Sequence, residues 1–258
     1  QNMENEIATG IDKAIRNREF KIYLQPRFSL TTGKIVGAES LVRWQKEDGT
    51  LLLPDSFIPV YEKNGRIIDL DFYMFEETVK LLAKWKEQGL PQRLISINAS
   101  ALHAQNSDTI HRYTAILEKY GVDPALTELE LTETATVSDY DHVKQLFAKL
   151  RTVGFRTALD DFGAGYSVLN TVIDIPVNTV KVDRAFINNC EITRKGIYFL
   201  REIINLLKGL GYHIVCEGVE TPEQASILRN TMCDEVQGYW FSPPVPVDEF
   251  EKMLQEGR

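Results

Sequence analysis

SDYDHVKQLFAKLRTVGFRTALDDFGAGYS, residues 138 to 167, decides how the chain is read. Residues 138 to 153 carry helical spacing and stop at Gly154, a residue that closes helices because it tolerates a left-handed backbone. Phe155, Thr157 and Leu159 then alternate with Arg156, Ala158 and Asp160, which is the period of a strand. The strand runs into two adjacent acids, Asp160 and Asp161, and then into a loop punctuated by Gly163 and Gly165. Carboxylates prefer hard cations and glycines give a lid its backbone freedom, so this ending reads as a metal site beneath a mobile loop. One acidic pair alone would be read as a solvated turn cap. The rest of the chain overturns that simpler reading.

Outward from this unit the alternation repeats. Helical periodicity at 67 to 88 leads through Gly89 and Pro91 to a strand at 94 to 98, and a helix at 108 to 120 ends at Gly121 before a strand at 126 to 131. Downstream come a strand at 179 to 183, a helix at 194 to 209 closed by Gly211, a strand at 213 to 217, a helix starting near Thr221, a short strand at 235 to 237 and a last helix at 247 to 255. Upstream, Ile7, Ile11 and Ile15 mark a helix over 3 to 18. Strands at 20 to 25 and 34 to 44 follow, separated by Thr31, Thr32 and Gly33, a link too short for a parallel crossover and therefore an antiparallel hairpin. Eight strands in a chain of this size predict an α/β fold, a (β/α)8 TIM-like barrel with an antiparallel opening, ahead of an open doubly wound sheet.

At 258 residues and 43% hydrophobic content, with neither a repeat nor a Pro/Ser-rich linker, the chain is expected to form a single domain over 1 to 258. Its opening Gln1-Asn2-Met3 suggests a piece cut from a longer protein. No apolar run approaches a membrane span and no basic-then-apolar leader precedes the first helix. Three cysteines (Cys190, Cys216, Cys233) without C-x-x-C spacing read as reduced packing thiols in a cytoplasmic protein. His103, His111, His142 and His213 lack helical zinc spacing and read as surface or half-buried residues. A net charge of −8 argues against a grip on nucleic-acid polymers but leaves room for a small anionic substrate if a metal supplies local positive charge.

The C-terminal strand ends carry, in order, Glu39, Asn98, Glu130, Asp160 with Asp161, Lys181 with Asp183, Glu217 and Gln237. Strand parity puts Glu39 on a face with Gly37 and Arg43, Asn98 with Ser96, Asp160 with Ala158 and Lys181 with Asp183. Ala38, Val42, Ile97, Leu159, Val180 and Val182 fall on the opposite, coat-facing side. Any one of these acids is as readily a solvated rim charge as a functional group, but so many converging on one mouth would repel each other unless cations were bound. The all-oxygen set Glu39, Asn98, Glu130, Asp160, Asp161 and Glu217 selects Mg²⁺ or Mn²⁺, two ions with one Asp bridging, which suits a phosphoryl displacement. Lys181 is suited to hold the attacking water or a phosphate, and Glu217 to bind the second ion or take a proton.

The motifs YLQP (23 to 26), GAESLVRW (37 to 44), INAS (97 to 100), ELTE (130 to 133), ALDDFGAGYS (158 to 167), VKVDRAFI (180 to 187), CEGVET (216 to 221) and QGYWFSPP (237 to 244) stand in an order that resembles the EAL domain, the cyclic di-GMP-specific phosphodiesterases. The resemblance implies hydrolysis of cyclic di-GMP to linear pGpG with Mg²⁺ or Mn²⁺. It implies the same six metal ligands, Lys181 contacting the water, and Gln237 as a polar rim partner. Glu133 resembles the glutamate that orders the loop after the paired aspartates. Gln25, Leu41 and Arg43 resemble substrate contacts, with Asp183 and Glu220 on the ligand side of the rim. Family members often dimerise near that loop, and a longer chain would carry regulatory domains. Three departures stand out: Ser40 for the usual Ala in the signature triplet, Cys216 before Glu217, and Ala164 where Thr is frequent. The alternatives are a cyclic di-GMP receptor that has lost catalysis, disfavoured because every ligand is retained, and an enolase-like barrel with Lys181 as base, which the motifs do not support.

Overall fold

The computed structural model describes residues 2–164, 169–191 and 193–258. Gly165, Tyr166 and Ser167, the far half of the glycine loop, lie outside the described residues, as does the side chain of Cys190.

The strands are β1 (Phe20–Ser29), β2 (Ile35–Gln45), β3 (Leu51–Leu52), β4 (Leu94–Asn98), β5 (Thr127–Thr132), β6 (Arg156–Phe162), β7 (Thr179–Val182), β8 (His213–Cys216), β9 (Glu235–Val236) and β10 (Val245–Pro246). The helices are α1 (Asn2–Arg16), α2 (Ile58–Lys63), α3 (Ile67–Glu87), α4 (Thr109–Tyr120), α5 (Glu133–Ser138), α6 (Tyr140–Thr152), α7 (Leu169–Asp174), α8 (Arg184–Glu191), α9 (Arg194–Gly209), α10 (Pro222–Arg229) and α11 (Val247–Gln255). The sheet runs β10-β1-β9-β8-β7-β6-β5-β4-β2-β3 and is closed by pairing of β1 with β2. The eight staves of this barrel are β1, β2 and β4 to β9, and the two-residue β3 and β10 are edge extensions.

From β2 through β4 to β9 the ladders are parallel, whereas β1 is antiparallel to both of its barrel neighbours, β2 and β9. The expected antiparallel opening strand is therefore present. Its tight return is turned by Gly33 at φ 68, a left-handed conformation that favours glycine. Each expected long helix is present. The helices that periodicity did not find, α2, α5, α7 and α8, have only 6 to 8 residues, too few turns to print an apolar stripe.

Outward strand residues Ile95, Ile97, Leu129, Leu131, Leu159, Val180, Val182 and Ile214 are all buried against Phe75, Val79 and Leu82 of α3, Phe147 and Leu150 of α6, and Leu200, Ile204 and Leu207 of α9. A second cluster joins Ile7 and Ile11 of α1 to Phe20, Trp44, Phe57 and Tyr61.

The barrel's inner face is charged in two tiers. In the lower tier Arg27, 1% exposed, meets Glu128 at 2.8 Å and Glu235 at 3.1 Å and donates to Ser96 Oγ at 3.1 Å. Thr179 donates to the other Glu128 oxygen at 2.6 Å. A Cβ on Gly37 would stand 2.9 Å from the Arg27 guanidinium and 2.7 Å from the Leu94 carbonyl, so a side chain at 37 would displace this floor. Removing one partner of a buried ion pair strands the other charge. Arg27→Ala is expected to cost about 3–5 kcal/mol in a urea titration, whereas a change under about 1 kcal/mol would mean that water takes over the role of the guanidinium.

Candidate active site

Lys181, from β7, stands at the centre of the upper tier and is fully buried. Its Nζ lies 2.7 Å from Glu217, 2.8 Å from Glu130, 3.1 Å from Glu39 and 3.5 Å from Asp160. Alternation along each strand turns these side chains inward while their neighbours face the coat. Ser40 and Cys216, two of the departures from the family pattern, are buried on that outward side, Ser40 against Thr78 of α3 at 3.0 Å. Asn98 donates to Glu39 Oε1 at 2.9 Å. Gln237 donates both to Glu39 Oε2 at 2.7 Å and to Gln25 Oε1 at 2.9 Å.

Asp160 and Asp161 are consecutive, and strict alternation would point them to opposite faces. The backbone resolves this. Asp161 has φ 56, the ladder between β6 and β7 shifts register between Leu159 and Phe162, and the Asp161 N–H turns back onto Asp160 Oδ1 at 2.8 Å. A left-handed non-glycine residue is strained, and here the strain brings both carboxylates to one site. Gly163 follows at φ 90, with Phe186 so close that a Cβ would stand 2.6 Å from its ring. Its N–H donates to Glu133 Oε2 at 3.2 Å, so Glu133 holds the start of the glycine loop.

Two groups of carboxylate oxygens, Glu39 with Glu130 and Asp160, and Asp160 with Asp161 and Glu217, each lie within 4.8 Å of one another and share Asp160. Glu130 Oε1 is buried without a hydrogen-bond partner, and every donor is a hard oxygen. This set fits divalent cations such as Mg²⁺ or Mn²⁺.

Burial and crowding shape the titration of the cluster. Burial, reinforced by Glu39 and Asp160 and only partly offset by Lys181, pushes the Glu130 carboxyl up to about 8. Burial together with Asp160 and Asp183 pushes Asp161 up to about 6. Glu217 is driven well above the usual carboxylate range by burial and by Asp160. Burial would also raise Glu39, but Lys181 and the hydrogen bonds from Gln237 and Asn98 outweigh it and hold that carboxyl low. Burial disfavours the Lys181 ammonium, yet the surrounding acids raise it well above its ordinary value.

Two clefts, of about 440 and 340 Å³, open on either side of the cluster and share Glu39, Leu41 and Asp161 in their walls. Asn98 lines the larger, while Gln25, Asp183, Glu220 and Gln237 line the smaller. Arg43, expected at the substrate, lines neither cleft: it lies 5.4 Å from the Tyr23 ring centroid and donates to the Val42 carbonyl at 2.8 Å. Asp183 Oδ1 accepts the Ala185 N–H at 2.7 Å and so caps α8. Glu220 pairs with Arg184.

Asp71 and Arg184, which no sequence expectation names, also stand at the site. Asp71, buried on α3 and lining the larger cleft, accepts from Ser100 N at 2.8 Å and lies 3.0 Å from His103 Nε2. The expectation that His103 is surface or half-buried is corrected: it is 1% exposed, enclosed by Asp71, Phe72 and Tyr113. An acid between the apolar Leu70 and Phe72 was the available signal.

The chain belongs to the EAL domain family, whose sequence profile matches residues 9–244. It is 35% identical over 244 residues to the signaling protein YkoW of Bacillus subtilis, covering 95% of this chain and 30% of that protein. It is 33% identical over 255 residues to the cyclic di-GMP phosphodiesterase NbdA of Pseudomonas aeruginosa, covering 99% of this chain and 33% of that protein. Its fold superposes with a TM-score of 0.87 on the PaMucR phosphodiesterase solved as a c-di-GMP complex, at 28% identity, covering 95% of this chain and 99% of the other. The chain thus spans about a third of the length of these curated relatives. No helix among the described residues is long and apolar enough to cross a membrane.

The raised carboxyls set a testable pH dependence. Glu130 holds its proton to about 8 when folded, against the ordinary 4.5 of a glutamate in the unfolded chain, so between those values the folded state binds more protons than the unfolded state. Stability therefore falls as pH rises, on the order of 1.4 kcal/mol per pH unit for one such group. The melting temperature of the chelator-treated protein is expected to drop from pH 5 toward pH 8, and Mn²⁺ to raise it more at the upper end than the lower. Equal Mn²⁺ stabilisation at both ends would separate the carboxyl cluster from cation binding.

Proposed function

We propose that this chain hydrolyses one phosphodiester bond of cyclic di-GMP to linear pGpG, with water as the nucleophile. The observation that carries the reading is the buried Lys181 ammonium ringed by Glu39, Glu130, Asp160 and Glu217, beside two clefts that share Glu39, Leu41 and Asp161 in their walls. The relative named a cyclic di-GMP phosphodiesterase and the structural neighbour complexed with c-di-GMP support the substrate.

Two Mg²⁺ or Mn²⁺ ions, held by Glu39, Asn98, Glu130, Asp160, Asp161 and Glu217 with Asp160 common to both, would supply the charge that activates water and neutralises the reacting phosphate. Lys181, fixed by its four acids, presents a positive charge to the attacking water or a phosphate oxygen. Glu217, at the cleft edge of that ring, takes the proton that the water loses. Glu133 positions the loop after Asp161 through the Gly163 amide. Gln25, Leu41, Asp183, Glu220 and Gln237 line the binding surface, and Arg43, two residues beyond Leu41 on β2, is suited to reach a phosphate oxygen of the substrate.

The same reading makes the chain one cytoplasmic catalytic domain of a longer regulated protein. Ile173, exposed on α7 just after the glycine loop in sequence, and the exposed Phe199 of α9, 5.8 Å from the Phe186 ring that packs on Gly163, support a homodimer contact near that loop.

Glu130→Gln keeps the shape of the side chain but removes a ligand charge. It is expected to lower kcat for pGpG formation at least about a hundredfold, more than outer-shell changes at metal sites typically cost, while circular dichroism and melting temperature stay at or above those of the unaltered chain. Normal turnover by this variant would remove the ligand assignment. Tight cyclic di-GMP binding without product by the unaltered chain would make it a receptor instead.

A further inference from the structure

Arg184 has no part in the chemistry above, yet its placement is tightly specified. It is the first residue of α8, whose amino end is fixed by the Asp183 cap on Ala185 N–H. Gly218, immediately after Glu217, has φ 62, and a Cβ there would stand 2.3, 2.7 and 2.8 Å from Cβ, Cγ and Cδ of Arg184. The arginine stem therefore lies flat across the backbone next to Glu217, and only glycine at 218 permits that crossing.

The head of the side chain is held by Glu220, at 2.5 Å from Nη1. Glu220 is itself fixed through its backbone N–H, which donates to Gln224 Oε1 at 2.7 Å, and Gln224 reaches Asn188 of α8 at 2.9 Å. Arg184 still has 55% of its side chain exposed.

Among the described residues lining the smaller cleft, Arg184 is the one cation, against the acids Glu39, Asp160, Asp161, Asp183, Glu217 and Glu220. A cyclic dinucleotide carries a negative charge on each of its phosphodiesters and must enter this acidic wall. An exposed Arg–Glu pair contributes little to stability, so exchanging Glu220 for a phosphate costs little, whereas a guanidinium fork matches phosphate geometry well.

We propose that Arg184 is a substrate-binding residue that contacts a phosphate oxygen of the dinucleotide in the smaller cleft, with Glu220 holding it ready when the cleft is empty. The assignment rests on the cyclic di-GMP reading above.

Steady-state kinetics with cyclic di-GMP separate this role from that of a rim pin. Arg184→Ala is expected to raise KM about tenfold, the worth of one charge-assisted hydrogen bond at a partly exposed site, with kcat within about twofold. Arg184→Lys should fall between the two. Glu220→Gln, which releases the guanidinium, should lower KM. In the Glu130→Gln background, calorimetry should show the same tenfold loss of cyclic di-GMP affinity on adding Arg184→Ala.

An unchanged KM for Arg184→Ala alongside normal turnover by the unaltered chain overturns this assignment alone. Parallel rises in KM for Arg184→Ala and Glu220→Gln overturn it as well, because they mark a shared structural pin. Neither turnover nor binding by the unaltered chain overturns the cyclic di-GMP reading and this assignment with it.

Discussion

One buried amine organises the upper half of the barrel. Four carboxylates within 3.5 Å of Lys181 Nζ bring far more negative charge into the lumen than one ammonium balances. Burying even one unpaired charge costs several kcal/mol. The imbalance is visible in the acids themselves, with Glu130, Asp160, Asp161 and Glu217 all displaced upward. A cluster of this kind fits divalent cations, and Glu130 Oε1 lies within it buried and without a hydrogen-bond partner.

The lower tier is closed where the upper is open. Arg27, Glu128, Glu235, Ser96 and Thr179 bond to one another across β1, β4, β5, β7 and β9, and so tie down β5 and β7, the strands that carry Glu130 and Lys181. The antiparallel β1 contributes directly to both tiers: register places Gln25 opposite Glu39 and Arg27 opposite Gly37. A single strand thus links a structural ion cluster to the rim, and the coat helices seal the outside with aliphatic and aromatic side chains.

Much of this was legible in the sequence because its signals are local. Gly121, Gly154 and Gly211 close helices just before strands, and parity along β2, β4, β6 and β7 sorted the inward polar residues from the outward apolar ones. Asp161 shows where such reasoning stops. Alternation alone would aim it away from Asp160, and only the left-handed bulge turns it inward. The burial of His103 is not legible locally, because nothing near it in sequence signals Asp71, which is brought against it by the packing of α3 on the loop after β4. The position of Arg184 depends on Gly218, 34 residues later, as in the pair 184 and 218 of the numbering. Short helices form without a periodic stripe, α2 through the packing of Tyr61 in the second cluster and α8 under the Asp183 cap.

The most direct measurement of the central claim is incubation of the purified chain with cyclic di-GMP in heavy-oxygen water, with Mn²⁺ or with chelator, followed by mass spectrometry of the nucleotides. The account predicts pGpG only when the ion is present, with one heavy oxygen in its terminal phosphate. Intact cyclic di-GMP in both samples, or equal product with chelator, would contradict it.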